Sequence, residues 1–262
     1  MKRTPSTILI TGATAGFGEA TARLFAANGW RVIITGRRKE RLEALRKELE
    51  GLHGRVEGPP VVHALHFDVR VNTAVEAAIS SLPEEWKAID VLVNNAGLAA
   101  GMEPIHEGSL EDWERMVDTN VKGLLFVSRA VIPGMVARKA GHIINIGSTA
   151  GKEVYPNGNV YCATKFAVDA LTKGMRQDLL PHGIKVTQIA PGLAETEFSV
   201  VRFHGDTTRA SRTYEGLEPL HAEDIARLVL FAATQPPHVC INDLVVTPTA
   251  QAGSNHVHRK RH

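Results

Sequence analysis

The chain predicts a three-layer α/β domain: a doubly wound parallel sheet with helices on both faces, formed as a single unit over residues 1–262. Three observations carry this. Short apolar runs rich in β-branched residues alternate with amphipathic helical stretches from one end to the other. The apolar runs lack the polar alternation of half-exposed strands, as expected when both sheet faces are covered. No linker, repeat or low-complexity block divides the 262 residues, a length that single α/β domains commonly reach.

Strands are expected over residues 8–10, 32–34, 61–65, 89–93, 142–146, 184–189 and 244–246. Helices are expected over 16–28, ending at Gly29, and over 39–50, where Leu42, Leu45 and Leu49 recur at spacings of three and four before Gly51. Further helical stretches cover 71–82, 110–138, 160–180 and 223–234. Residues 51–60 form a polar loop. The longest irregular stretch, 192–219, exceeds an ordinary connection and is a candidate substrate lid. Residues 253–262 form a His- and Arg-rich tail, expected to be a solvated terminus.

Composition narrows the function. The chain is 44% hydrophobic and 22% charged, ordinary for a globular protein. Its 30 basic and 28 acidic residues give +2, and three of the positives, Arg259, Lys260 and Arg261, lie in the tail. Without them the body carries −1, which argues against a nucleic-acid partner. No continuous apolar run approaches the ~18 residues of a membrane span, and Met1–Ser6 leads into no signal-like stretch. Two cysteines, Cys162 and Cys240, make no disulfide framework and suit a reducing, cytoplasmic setting.

The first expected strand runs into Thr11-Gly12-Ala13-Thr14-Ala15-Gly16-Phe17-Gly18 and then a helix. Glycines let the backbone approach a pyrophosphate, and a helix N-terminus offers free N–H groups at its positive end. Read alone, the loop is also compatible with a plain turn. The second strand ends at Gly36 and is followed by Arg37-Arg38, about 20 residues beyond the glycine loop, where a dinucleotide fold faces the adenosine ribose. An acid there would bind a 2′-hydroxyl. Arginine suits a 2′-phosphate and points to NADP, although both residues could be solvated charges opening a charged helix. Asp68 and Val69 close the third strand at the adenine edge, and Asp68 could instead cap the next helix.

Tyr161 and Lys165 are four residues apart at the start of an expected helix and share a face. A neighbouring ammonium would bring a phenol, ordinarily near pKa 10, closer to working pH. Ser148, ending the fifth strand, could donate to a substrate oxygen as negative charge develops there. Asn120 falls inside a helical pattern where asparagine is a poor helix former, and its amide could hold a water for proton relay. His63 and His66 lack the spacing of a metal site, and no metal is expected.

These motifs, with Asn94-Asn95-Ala96-Gly97 and Pro191-Gly192, resemble the short-chain dehydrogenase/reductase family in order and spacing over essentially the whole chain. The resemblance implies a Rossmann-type fold and a tetrad of Asn120, Ser148, Tyr161 and Lys165, with Tyr161 as acid/base and Lys165 also on the nicotinamide ribose. It implies that Asn94, Ala96 and Gly97 support the sheet and line the cofactor, and that Pro191, Gly192 and Thr196 face the nicotinamide. Longer stretches, residues 10–23, 141–151 and Thr196-Glu197-Phe198-Ser199 with Val201-Arg202-Phe203, resemble its NADP-dependent 3-hydroxy acid (serine) dehydrogenase branch. That branch implies small hydroxy or oxo acids, such as L-serine or 3-hydroxyisobutyrate, as substrates, and a homotetramer. A small acid needs a cation, and Arg202 is the first choice among the arginines of 192–219. Alternatives are a broad carbonyl reductase acting on neutral ketones or aldehydes, and a non-catalytic NADP-binding regulatory module.

Overall fold

In a computed structural model, which describes residues 6–53 and 61–260, seven strands form a parallel sheet in the order β3-β2-β1-β4-β5-β6-β7. They are β1 (Thr7–Ile10), β2 (Arg31–Gly36), β3 (Val62–His66), β4 (Val91–Asn94), β5 (Gly141–Ile146), β6 (Ile184–Pro191) and β7 (Asp243–Val246). The strand order reverses between β1 and β4, and a crevice opens at their carboxyl ends, the usual place for a ligand in such sheets. This is the doubly wound sheet expected from the sequence.

Side-chain alternation along each strand builds two cores. Ile8, Ile10, Val32, Ile34 and Ile144 point to one face and pack with Phe25, Leu42, Leu45, Leu49 and Val229. These come from α1 (Gly16–Ala27), α2 (Lys39–His53) and α9 (Ala222–Ala233). Leu9, Ile33, Leu92 and Ile143 point to the other face and meet Val75, Val127, Val131 and Met135. Those belong to α3 (Asn72–Ser80) and α5 (Leu124–Arg138). Burying a large aliphatic side chain contributes about 1.5–3 kcal/mol, so two continuous layers fix the sheet without disulfides, and both cysteines are free thiols.

Several expectations change. Helix α2 continues through Gly51 to His53, so glycine does not end it; residues 54–60 of the expected loop lie outside the described residues, as do 1–5 and 261–262. The stretch 110–138 is helical throughout, but α4 (Leu110–Val117) and α5 are joined by a π turn, Asp118–Gly123. By length and composition Leu110–Arg138 is also apolar enough to cross a membrane, yet Val127, Val131 and Met135 are packed into the core beneath the sheet. After α6 (Asn159–Leu179), the stretch 192–219 is not irregular: it contains α7 (Glu197–Arg202) and α8 (Thr207–Arg212), each capped by its preceding side chain, Thr196 and Asp206. Asp68 does not cap α3, whose N-cap is Val71; it pairs with Arg70 instead, at 2.7 Å.

The tail is not a free terminus. Arg259 donates to Thr213 O (3.0 Å) and Glu215 O, and Lys260 N donates to Gly216 O (2.8 Å), tying residues 259–260 to the segment after α8. His258 N donates to Ala250 O (2.8 Å). The tail's contacts are mainly with backbone carbonyls, so sequence periodicity carried no sign of them.

Candidate active site

A cleft of about 880 Å³ lies over the carboxyl ends of β1 and β4. The glycine loop forms its floor. Gly12 (φ 65°) and Gly16 (φ 53°) adopt left-handed backbone conformations that side chains disfavour. A Cβ on Gly18 would come within 2.5 Å of Gly12 O, so Gly18 packs the turn and does not line the cleft. Ala15 precedes α1 and no side chain caps the helix, leaving its first N–H groups open to the cleft beside Thr14, Gly16 and Phe17. A dinucleotide pyrophosphate fits this cradle by charge and by size.

At the far end stand Arg37, Arg38, Asp68 and Val69, all on the cleft wall. Arg37 lies 3.6 Å from Asp68. Arg38 wraps the loop, donating to Thr14 O (3.0 Å) and Thr14 Oγ1 (3.1 Å). Hydrogen bonding to Arg70 and the charges of Arg37 and Arg70 outweigh burial and hold the Asp68 carboxyl below the usual carboxylate range. His66 bonds through Nε2 to Arg37 O (3.0 Å) and His63 packs on Trp86; no metal-binding cluster occurs among the described residues.

Opposite the glycine loop, Ser148, Tyr161 and Lys165 line the cleft with Ala96, Gly97, Pro191, Gly192 and Thr196. The α6 helix places Tyr161 and Lys165 one turn apart, both buried. Lys165 Nζ donates to Ile146 O (3.0 Å) and lies 5.9 Å from the Tyr161 ring centre. Ser148 Oγ accepts from Ala150 N (3.1 Å) and donates to Pro191 O (3.3 Å).

The electrostatics depart from expectation. Burial drives the Tyr161 phenol well above its ordinary value; the groups that pull it down are Ser148, by hydrogen bonding, and the charge of Arg202. Burial also lowers the Lys165 amine, to about 8, which leaves it largely an ammonium at neutral pH.

Two predicted residues lie behind the cleft wall. Asn94 Nδ2 donates to Ser128 Oγ and Asn145 Oδ1, both at 2.9 Å, and so braces the sheet. Asn120, in the π turn, gives its amide hydrogens to Leu98 O (2.8 Å) and Thr164 Oγ1 (3.0 Å), while Oδ1 accepts from Leu98 N (2.8 Å). Its amide braces the segment after β4 against α6, with both hydrogens and one lone pair of Oδ1 engaged. The poor helix propensity of asparagine marks this position because a π turn interrupts the ordinary ladder there.

Arg202, the last residue of α7, reaches back over the pocket. Its guanidinium lies 5.7 Å from the Tyr161 ring centre and 5.4 Å from that of Tyr155. Nε donates to Gly101 O (3.2 Å), whereas the buried Nη2 has no hydrogen-bond partner among the described residues. Phe198, on the same helix, packs edge-on against Tyr161 at 5.6 Å. Sequence reasoning missed Tyr155 and Phe198. An aromatic in the Tyr155-Pro-Asn-Gly turn just ahead of α6 was the available signal for the first, since its ring closes on Gly158.

Comparison with known proteins points to one family. A family model described as short chain dehydrogenase matches residues 6–206. The NADP-dependent 3-hydroxy acid dehydrogenase YdfG of Salmonella typhi is 53% identical over 246 residues, covering 94% of this chain and 96% of that protein. Sulfoacetaldehyde reductase 2 of Chromohalobacter salexigens is 48% identical, covering 94% and 96%. Among solved structures, the closed form of serine dehydrogenase complexed with NADP+ superposes with a TM-score of 0.89 at 51% identity, covering 97% of this chain and 100% of that one. The chain belongs to the short-chain dehydrogenase family and is an oxidoreductase of that family.

Proposed function

We propose that the protein is an NADP-dependent dehydrogenase of small 3-hydroxy acids, of which L-serine and 3-hydroxyisobutyrate are the leading examples. The observation that carries the acidic substrate is the buried Nη2 of Arg202 beside the Tyr161 ring, which has no partner among the described residues. A guanidinium edge with a spare donor in a desolvated pocket is a receptor for a planar anion. The named relatives act on a 3-hydroxy acid and on a sulfonated aldehyde, both anionic.

NADP would lie with its pyrophosphate over α1 and its 2′-phosphate by Arg37, Arg38 and Thr14; Asp68, Val69, Ala96, Gly97, Pro191, Gly192 and Thr196 would line it. Bound NADP+ supplies the hydride acceptor and a positive ring. Arg202 anchors the acid, Ser148 donates to the reacting oxygen, and Tyr161, as the phenolate that the positive charges of the bound nicotinamide ring, Lys165 and Arg202 would favour, takes the alcohol proton on Oη while the hydride leaves the carbon for the nicotinamide. Reduction runs the same transfers backwards. Lys165 holds the tyrosine face of α6 and carries the proton onward, and Asn120 fixes the π turn beneath. The segment 192–219 acts as the lid, and the two free thiols suit a cytoplasmic setting. A homotetramer would cover Phe166, Phe231 and Val245, exposed on α6, α9 and the edge strand β7; light scattering tests it.

The deciding experiment is a substrate panel with NADP+ and NAD+ side by side. The reading expects kcat/KM for 3-hydroxy acids to exceed that for neutral alcohols by ten-fold or more, about the 1.4 kcal/mol of one charged contact. Equal values would favour a general carbonyl reductase, and tight NADPH binding with no turnover a regulatory module.

A further inference from the structure

Glu197 opens α7 and forms two ion pairs across the cleft, to Arg38 Nη1 (2.8 Å) and Arg41 Nη1 (2.6 Å). Arg38 immediately precedes α2 and Arg41 lies in its first turn, and both reach the Glu197 carboxylate. Arg38 thus has two attachments: one guanidinium edge on Thr14 at the glycine loop and one nitrogen on Glu197. Residue 196 touches the loop as well, since a Cβ on Gly16 would lie 3.3 Å from Thr196 Cβ. A carboxylate therefore sits on the cations that stand where a 2′-phosphate would lie. Hydrogen bonding to Arg38 holds the Glu197 carboxyl below the usual carboxylate range, so it is charged at neutral pH.

We infer that Glu197 is a cofactor-specificity residue: it sets how much of the positive charge of Arg38 and Arg41 is available to a 2′-phosphate, and Arg41 is a third cation of that site. This rests on the NADP reading and not on the identity of the substrate. The carboxylate and the phosphate compete for the same guanidinium groups. Removing the carboxylate frees those groups for phosphate but changes nothing for a cofactor that lacks one. Because Glu197 and Arg202 are the first and last residues of one short helix, the same contact joins the phosphate end of the cleft to the lid.

The test is Glu197→Gln, with Kd for NADPH and NADH measured by nicotinamide fluorescence on the protein without substrate. NADPH should bind about two- to fivefold more tightly, the range for one exposed ion pair, while NADH moves by less than twofold. Glu197→Asp, which keeps the charge, should stay near the parent. In an Arg38→Met, Arg41→Met background the effect of Glu197→Gln should vanish. Weaker binding of both cofactors would show a merely structural role, and an unchanged ratio of the two would overturn the inference outright. Because no substrate is present, failure here is separable from failure of the 3-hydroxy acid reading, which the turnover panel decides.

Discussion

The guanidinium of Arg202, the last residue of α7, lies 5.7 Å from the ring centre of Tyr161, with a buried nitrogen that has no partner among the described residues. The charge of Arg202 lowers the proton affinity of the phenol beside it. An anion seated on Nη2 would satisfy that nitrogen and place its neighbouring carbons beside the tyrosine.

Arg202→Met keeps the length and apolar stem of the side chain but removes the cation. A hydrogen bond to a charged group is worth about 1.5–3 kcal/mol, so kcat/KM for a 3-hydroxy acid should fall about 10- to 150-fold. Turnover of a neutral alcohol should change by less than threefold. Steady-state kinetics on both substrates checks this, and equal losses would show that Arg202 only supports α7.

Lys165 makes a stability prediction. Its amine is lowered from 10.5 to about 8 by burial, so the folded chain releases that proton first as pH rises. The unfolded chain binds more protons between about pH 8 and 10.5, and this group's contribution to stability therefore rises with pH across that window. At neutral pH the buried charge costs about 3 kcal/mol, partly offset by the bond to Ile146 O. Lys165→Met should abolish turnover while raising Tm by a few degrees near pH 7, an exchange of stability for function that thermal melts would reveal.

His142 acts in the acid range. It is buried in β5 with Nε2 on Thr187 Oγ1 at 2.7 Å, and burial lowers its pKa from 6.5 to about 3. Between those values the unfolded chain takes up a proton that the folded chain refuses, so stability falls as pH drops, by up to about 1.4 kcal/mol per pH unit. Denaturant titrations of His142→Asn from pH 7 to pH 4 should show a shallower decline than the parent. Parallel curves would mean that His142 protonates without unfolding.

Much of this arrangement was legible in the residues. Local rules placed the strands, because a strand buried on both faces must be apolar throughout, as β1 and β2 are. The glycine loop and the Tyr161/Lys165 pair were legible because backbone reach and helical spacing are short-range properties. What stayed hidden was long-range. Glu197 meets Arg38 across 159 positions, and Arg259 meets Thr213 across 46, through atoms that carry no periodic signal. The Tyr161 phenol misled for a related reason: the spacing showed an amine nearby, but not that burial would raise the phenol itself.

The central claim is that Tyr161 moves the substrate proton in a cleft that separately holds NADP. Tyr161→Phe isolates it, because the ring and its packing against Phe198 remain while Oη is lost. The account predicts that kcat with a 3-hydroxy acid and NADP+ falls at least about 100-fold, the usual contribution of a positioned acid/base, with the Kd for NADPH within threefold of the parent. Undiminished turnover in this variant would contradict it.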